Sequence, residues 1–128
     1  MTLSRSDLIE QLNGASAQVL REKGYICFVE VLIRMGKLTT EDYLASRAQR
    51  IPYLESVIKV NLSKINHMLR TLQLNAKKGG LQVSKTVYMS WGKGSKKQLR
   101  FSKSGDPKIE AAYSTHFLKL KKGTAGLS

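Results

Sequence analysis

The sequence predicts a mostly α-helical fold carrying one β-hairpin, an α+β arrangement, and three observations carry that expectation. Apolar residues recur at steps of three and four, most clearly at Leu62, Ile65, Leu69, Leu72 and Ala76, the one-sided stripe of an amphipathic helix. Two other runs, Leu81 to Trp91 and Lys97 to Ser102, alternate with period two around Gly92-Lys93-Gly94-Ser95-Lys96. A chain of 128 residues, 41% of them apolar, can build one hydrophobic core without metal or disulfide support. The expected organisation is a single domain over residues 1–122, with an N-terminal helix at 4–21, a helical core at 25–79, a hairpin at 81–103 and a C-terminal helix at 107–120; a flexible tail at 123–128 follows.

The elements follow in order. Leu8, Leu12, Ala15 and Val19 form the apolar stripe of a first helix, Ser4 to Arg21, with Ser4 or Ser6 as N-cap and Asp7 in its first turn; Gly24 ends it. Gly14 within it costs roughly 1 kcal/mol against alanine, so that helix relies on packing. Tyr25 to Met35 is apolar almost all round, and its Ile26, Val29, Ile33 spacing favours a buried helix stopped by Gly36. Thr39-Thr40-Glu41-Asp42 reads as a cap followed by acids in the first turn of a third helix running through Tyr43, Leu44 and Ala48. Ile51-Pro52 marks a boundary before a short helix, Tyr53 to Lys59, with Leu54, Val57 and Ile58 inward. Val60-Asn61 is the turn into the long helix, where asparagine tolerates left-handed backbone angles, and Gly79-Gly80 closes that helix. In the hairpin, Leu81, Val83, Val87, Met89 and Trp91 are expected to face the core; Gln82, Ser84, Thr86, Tyr88 and Ser90 face outward. Asp106-Pro107 is an N-cap with proline in the first helical position, and Ile109, Ala112, Tyr113, Phe117 and Leu120 form the inner stripe of the last helix, with Lys119, Lys121 and Lys122 at its negative dipole end.

Charge divides the chain sharply. The formal net charge is +13, and beyond residue 60 the only acids are Asp106 and Glu110. A near-neutral first half joined to a strongly basic second half points to a polyanionic partner. The single cysteine, Cys27, allows no intramolecular disulfide, the N-terminus has no signal-peptide pattern, and the apolar stretch Ile26 to Met35 is too short to span a bilayer; a cytoplasmic location without membrane contact is the expectation.

The segment from Pro52 to Lys103, with its short helix, tight turn, polar-faced long helix and basic glycine-rich hairpin, resembles a winged helix-turn-helix domain. That resemblance, one of pattern, implies a winged-helix-like fold with extra N- and C-terminal helices that binds duplex DNA, as a transcriptional regulator or DNA-associated accessory protein. The stretches LRFSKSGDPKIEAAYSTHF, IPYLE, NLSK and WGKG also resemble small bacterial proteins associated with no established function, which implies a bacterial cytoplasmic origin.

The residues expected to meet nucleic acid are the outward stripe of the long helix, Ser63, Lys64, Asn66, His67, Arg70, Gln73 and Lys77, and in the hairpin Lys93, Lys96, Lys97 and Arg100. Arginine can pair with guanine, and asparagine or glutamine with adenine, through base edges; lysines on a glycine-rich tip suit phosphates. Each surface helix also has a solvated face, and each lysine-rich loop can be a solubilising one, so these residues gain weight from standing together. Duplex DNA is placed ahead of RNA, where Tyr88 would stack on unpaired bases. Dimers are common for this mode of reading, so a homodimer is a partner to consider. The other classes are a protein-interaction module with an acidic partner and an uncharacterised enzyme.

Enzymatic signals are weak. His67 and His116 lie far apart and Cys27 has no second thiol, so metal-ligand spacing is missing. Gly92 to Lys97 lacks the spacing of a phosphate loop. Ser102 or Ser104 with Lys103 is conceivable as a nucleophile pair, but neighbouring strand residues point to opposite faces. His116 is expected to pack beside Tyr113 and Phe117. No catalytic residue, metal or cofactor is assigned.

Overall fold

The computed structural model describes residues 4–86, 88–89 and 98–119, the side chain of Arg5 excepted. The hairpin positions Val87, Ser90, Trp91 and Gly92 to Lys97 lie outside the described residues, as do Leu120, Lys121, Lys122 and the expected tail at 123–128. Among the described residues the order is α1 (Arg5–Lys23), β1 (Tyr25–Ile26), α2 (Phe28–Arg34), α3 (Thr40–Arg47), a 3₁₀ turn (Leu54–Val57), α4 (Leu62–Lys78), β2 (Gln82–Lys85), α5 (Pro107–Ser114) and β3 (Thr115–Leu118). The architecture is mostly helical with a small three-stranded antiparallel sheet, an α+β fold.

Local chemistry fixes most helix ends. Ser4 caps α1 reciprocally: its hydroxyl accepts from the Asp7 amide at 3.2 Å, while the Asp7 carboxylate accepts from the Ser4 amide at 3.4 Å. Gly24, with φ of 79°, closes α1 in the left-handed region where a side chain would be strained. Thr39 caps α3 through the Asp42 amide at 3.0 Å, and Asp106 caps α5 with Pro107 at its start. Asn61 turns out to be an N-cap in extended conformation, φ −72°, and not a left-handed turn residue; its side-chain oxygen takes the Lys64 amide at 3.0 Å. At the other end of α4 the left-handed residue is Gly80, and the bonds Gly80 N to Lys77 O and Leu81 N to Ala76 O satisfy the last carbonyls.

Three expectations are corrected. Tyr25 and Ile26 leave the expected second helix and form β1, because they extend alongside β3; the helix begins at Phe28. The expected helix 107–120 stops at Ser114, and Thr115 to Leu118, rich in β-branched and aromatic side chains, becomes the central strand β3. The sheet order is β1-β3-β2, with Ile26 and Val83 both opposite Phe117. Among the described residues the two arms of the expected hairpin meet at an antiparallel bridge between Met89 and Gln98 and a bond from Leu99 N to Tyr88 O. Gln82 to Lys85 of its first arm also pair with β3. The second arm is held by other groups: the amides of Leu54 and Glu55 bond to the carbonyls of Arg100 and Phe101. Glu110 accepts from the amides of Phe101 and Ser102, and Glu55 from that of Lys103. Carboxylates take the amides that a strand ladder would have used.

Facing is corrected too. Tyr88, expected outward, is 9% exposed, whereas Val83 and Met89, expected inward, are 47% and 36% exposed. Val83 shares the core-facing side with Phe117 but lies on the edge strand, and the alternation breaks after Lys85, where the strand ends. In α4 the buried stripe comprises Ile65, Met68, Leu69, Leu72 and Ala76; Leu62, in the opening turn, is exposed.

The core is one cluster drawn from α1, β1, α2, the 3₁₀ turn, α4, α5 and β3. Tyr113 sits in it fully buried, its ring stacked on Phe101 at 5.3 Å and edge-on to Phe28 at 5.5 Å. Its hydroxyl donates to Glu55 at 3.0 Å. No helix among the described residues is long and apolar enough to cross a membrane.

Candidate nucleic-acid interface

Between Glu55 and Asp106 the chain contains no acid, and α4 is the longest element in that interval. Its buried stripe packs inward, so the opposite face is free to present polar groups. Ser63, Arg70 and Lys77 are exposed, as is Lys78; Lys64, Asn66, His67 and Gln73 are half-buried at the flanks. Leu74, one turn beyond Arg70, is 56% exposed among these polar residues.

The two flanks of α4 have different neighbours. Asn66, Arg70 and Gln73 share a groove of about 440 Å³ with Lys108 of α5, floored by Leu69, Ile109 and Ala112. His67 falls on the other side, in a cleft with Ser6, Ile9, Glu10 and Asn13 of α1. Asn75 is tied to α1 as well, donating to the Asn13 side chain at 2.8 Å. The structure therefore brings Asn66, Arg70 and Gln73 together and separates His67 from them. Lys108 was not among the expected contacts. Its place after the Asp106 cap and Pro107 identified a helix start, and nothing in its spacing marks a helix that returns to α4.

Arg100 is engaged elsewhere. Its Nε donates to Ser102 O at 2.9 Å, another guanidinium nitrogen donates to Lys103 O, and the group lies 5.9 Å from the Tyr53 ring centroid. These bonds order the segment below the hairpin. Lys93, Lys96 and Lys97 lie outside the described residues.

The residues weighed for catalysis serve the fold. Ser102 is buried; its hydroxyl donates to Glu110 at 2.5 Å and accepts from the Gly105 amide at 3.0 Å, closing the turn before α5. His116 is on β3, not on the inner side of a helix, and alternation puts it opposite Phe117's face. It stacks on Tyr25 at 5.0 Å, and its Nε2 is 3.0 Å from the Tyr88 hydroxyl, which also donates to the Cys27 sulfur at 3.6 Å. Burial pushes the Cys27 thiol and the Tyr88 phenol up from their ordinary values and the His116 imidazole down from 6.5, so all three groups are neutral at pH 7. No trio of His, Cys, Asp or Glu among the described residues could hold a metal ion.

A depressed histidine pKa has a definite sign. The folded state disfavours the proton, so this stabilisation is complete above the unfolded value near 6.5 and is lost as pH falls through the folded value. The urea midpoint of the wild type is expected to drop between pH 7.5 and 5.5 more than that of His116→Gln. Parallel pH dependence in the two proteins would show that His116 does not carry it.

No protein-family model, curated protein or solved structure matches the chain.

Proposed function

We propose that the protein binds duplex DNA through α4 and the basic hairpin, as a winged-helix-like DNA-associated protein or transcriptional regulator. The observation that carries this reading is the groove of Asn66, Arg70 and Gln73 on the acid-free part of the chain. Those three side chains have the donor and acceptor patterns that read guanine and adenine edges. The order of parts also supports it: a short helical turn, the capped helix α4, then an arm leading to Lys93, Lys96 and Lys97. Leu74 adds an apolar group of the kind that meets a thymine methyl. Burial of Tyr88 speaks against the RNA alternative, in which that ring would stack on unpaired bases.

Arg70 separates reading from holding. A bidentate guanine contact there contributes about 1–3 kcal/mol of discrimination at one base pair. In a binding selection Arg70→Ala is expected to flatten preference at that position and leave the others nearly unchanged. Arg70→Lys is expected to restore it only in part, because lysine lacks the planar fork. If neither affinity nor preference moves, α4 faces solvent or protein, and the protein-interaction reading becomes the better one.

A further inference from the structure

The neighbours of α4 differ in charge as well as in position. On the α5 side Arg70 and Lys108 line one groove, and neither is in an ion pair among the described residues. The acid within α5, Glu110, points its carboxylate at the amides of Phe101 and Ser102 and the Ser102 hydroxyl. Asp106, exposed, accepts from the Lys108 amide at 2.8 Å as the helix cap and does not line the groove. On the α1 side the cleft beside His67 carries the exposed Glu10, and Asn75 is occupied by Asn13. Phosphates approaching that side would meet the exposed Glu10 carboxylate.

We infer that a duplex meets α4 from its α5 side, with Arg70 turned to the base edges and one phosphate strand passing along the α5 wall of the groove, and that Lys108 is a phosphate contact. The inference rests on the duplex-binding reading and fixes the direction of approach, which that reading leaves open. The carboxamides of Asn66 and Gln73, in the same groove, then lie on the nucleic-acid side of α4, and His67 lies on the far side. The apolar floor of Leu69, Ile109 and Ala112 gives the sugar edge of the strand a surface without competing charge.

The test is a salt titration of a 30-base-pair mixed-sequence duplex with the full chain and two surface variants. Lys108→Gln is expected to flatten the slope of log affinity against log salt by about 0.9, and to weaken binding about fivefold at 0.15 M, the counterion-release factor for one phosphate. Glu10→Gln is expected to stay within about twofold of wild type, since Glu10 lies off the path of the strand. A Lys108→Gln slope equal to that of the wild type overturns the inference while duplex binding stands. So does a Glu10→Gln gain larger than the Lys108→Gln loss, which would put the duplex over α1. A wild type that shows no salt-dependent duplex binding removes both the inference and the function beneath it.

Discussion

Replacing Lys93, Lys96 and Lys97 together with alanine is expected to flatten the log affinity versus log salt slope by about 2.7, at roughly 0.9 per phosphate contact. No acid stands between Glu55 and Asp106 in the chain, so these charges have no nearby partner in sequence to neutralise them. Counterion release then makes them the largest sequence-independent contribution to binding. Affinity should fall on every duplex alike, with the order of preference among sequences unchanged. Equilibrium binding at several salt concentrations reads both quantities. An unaltered slope would remove the hairpin from the interface and leave α4 alone.

The largest effect on stability is expected at Tyr113. Tyr113→Ala empties a fully buried site between Phe101 and Phe28 and removes the hydroxyl that Glu55 accepts from. Truncation of a buried aromatic costs about 3–5 kcal/mol, a large part of the stability of a small domain. Tyr113→Phe keeps the ring stack and loses one hydrogen bond, about 1 kcal/mol; Glu55 retains the Lys103 amide. Urea unfolding of the three proteins checks the ranking. Near-equal losses for the two variants would mean that the hydroxyl, and not ring packing, holds this part of the core.

Tyr113 also shows how far the sequence could be read. Its spacing from Phe117 is that of two residues on one helix face, and both are indeed buried. A helix ending at Ser114 and a strand that buries alternate residues leave the same apolar signature, so periodicity could not tell them apart. What was legible was local: a cap at Ser4 or Ser6, one at Thr39-Thr40 and one at Asp106, the glycine stop after α1, and the extent of α4, each set by a few neighbouring residues. What was hidden was long-range. The pairing of β2 with β3 depends on residues more than a helix away, and the use of Glu55 and Glu110 as amide acceptors depends on where the chain returns. For the interface, period alone grouped His67 with Arg70 on one polar stripe. The flanking helices divide that stripe, and only their placement shows that Lys108 joins one half and Glu10 the other.

The central strand of the sheet is also the last element of the described residues. Tyr25 pairs with Leu118, so β1 waits for nearly the whole described chain before it acquires a neighbour, and β2 waits for the same strand. During synthesis the N-terminal helices can dock as they emerge, while the sheet must close late, after a long loop has been drawn in. Until then both outer strands present unpaired backbone, which is an invitation to pair with another chain. Their shortness, two and four residues, limits that hazard. A nascent chain halted before Thr115 would carry the long basic helix α4 without the strand that closes the sheet behind it.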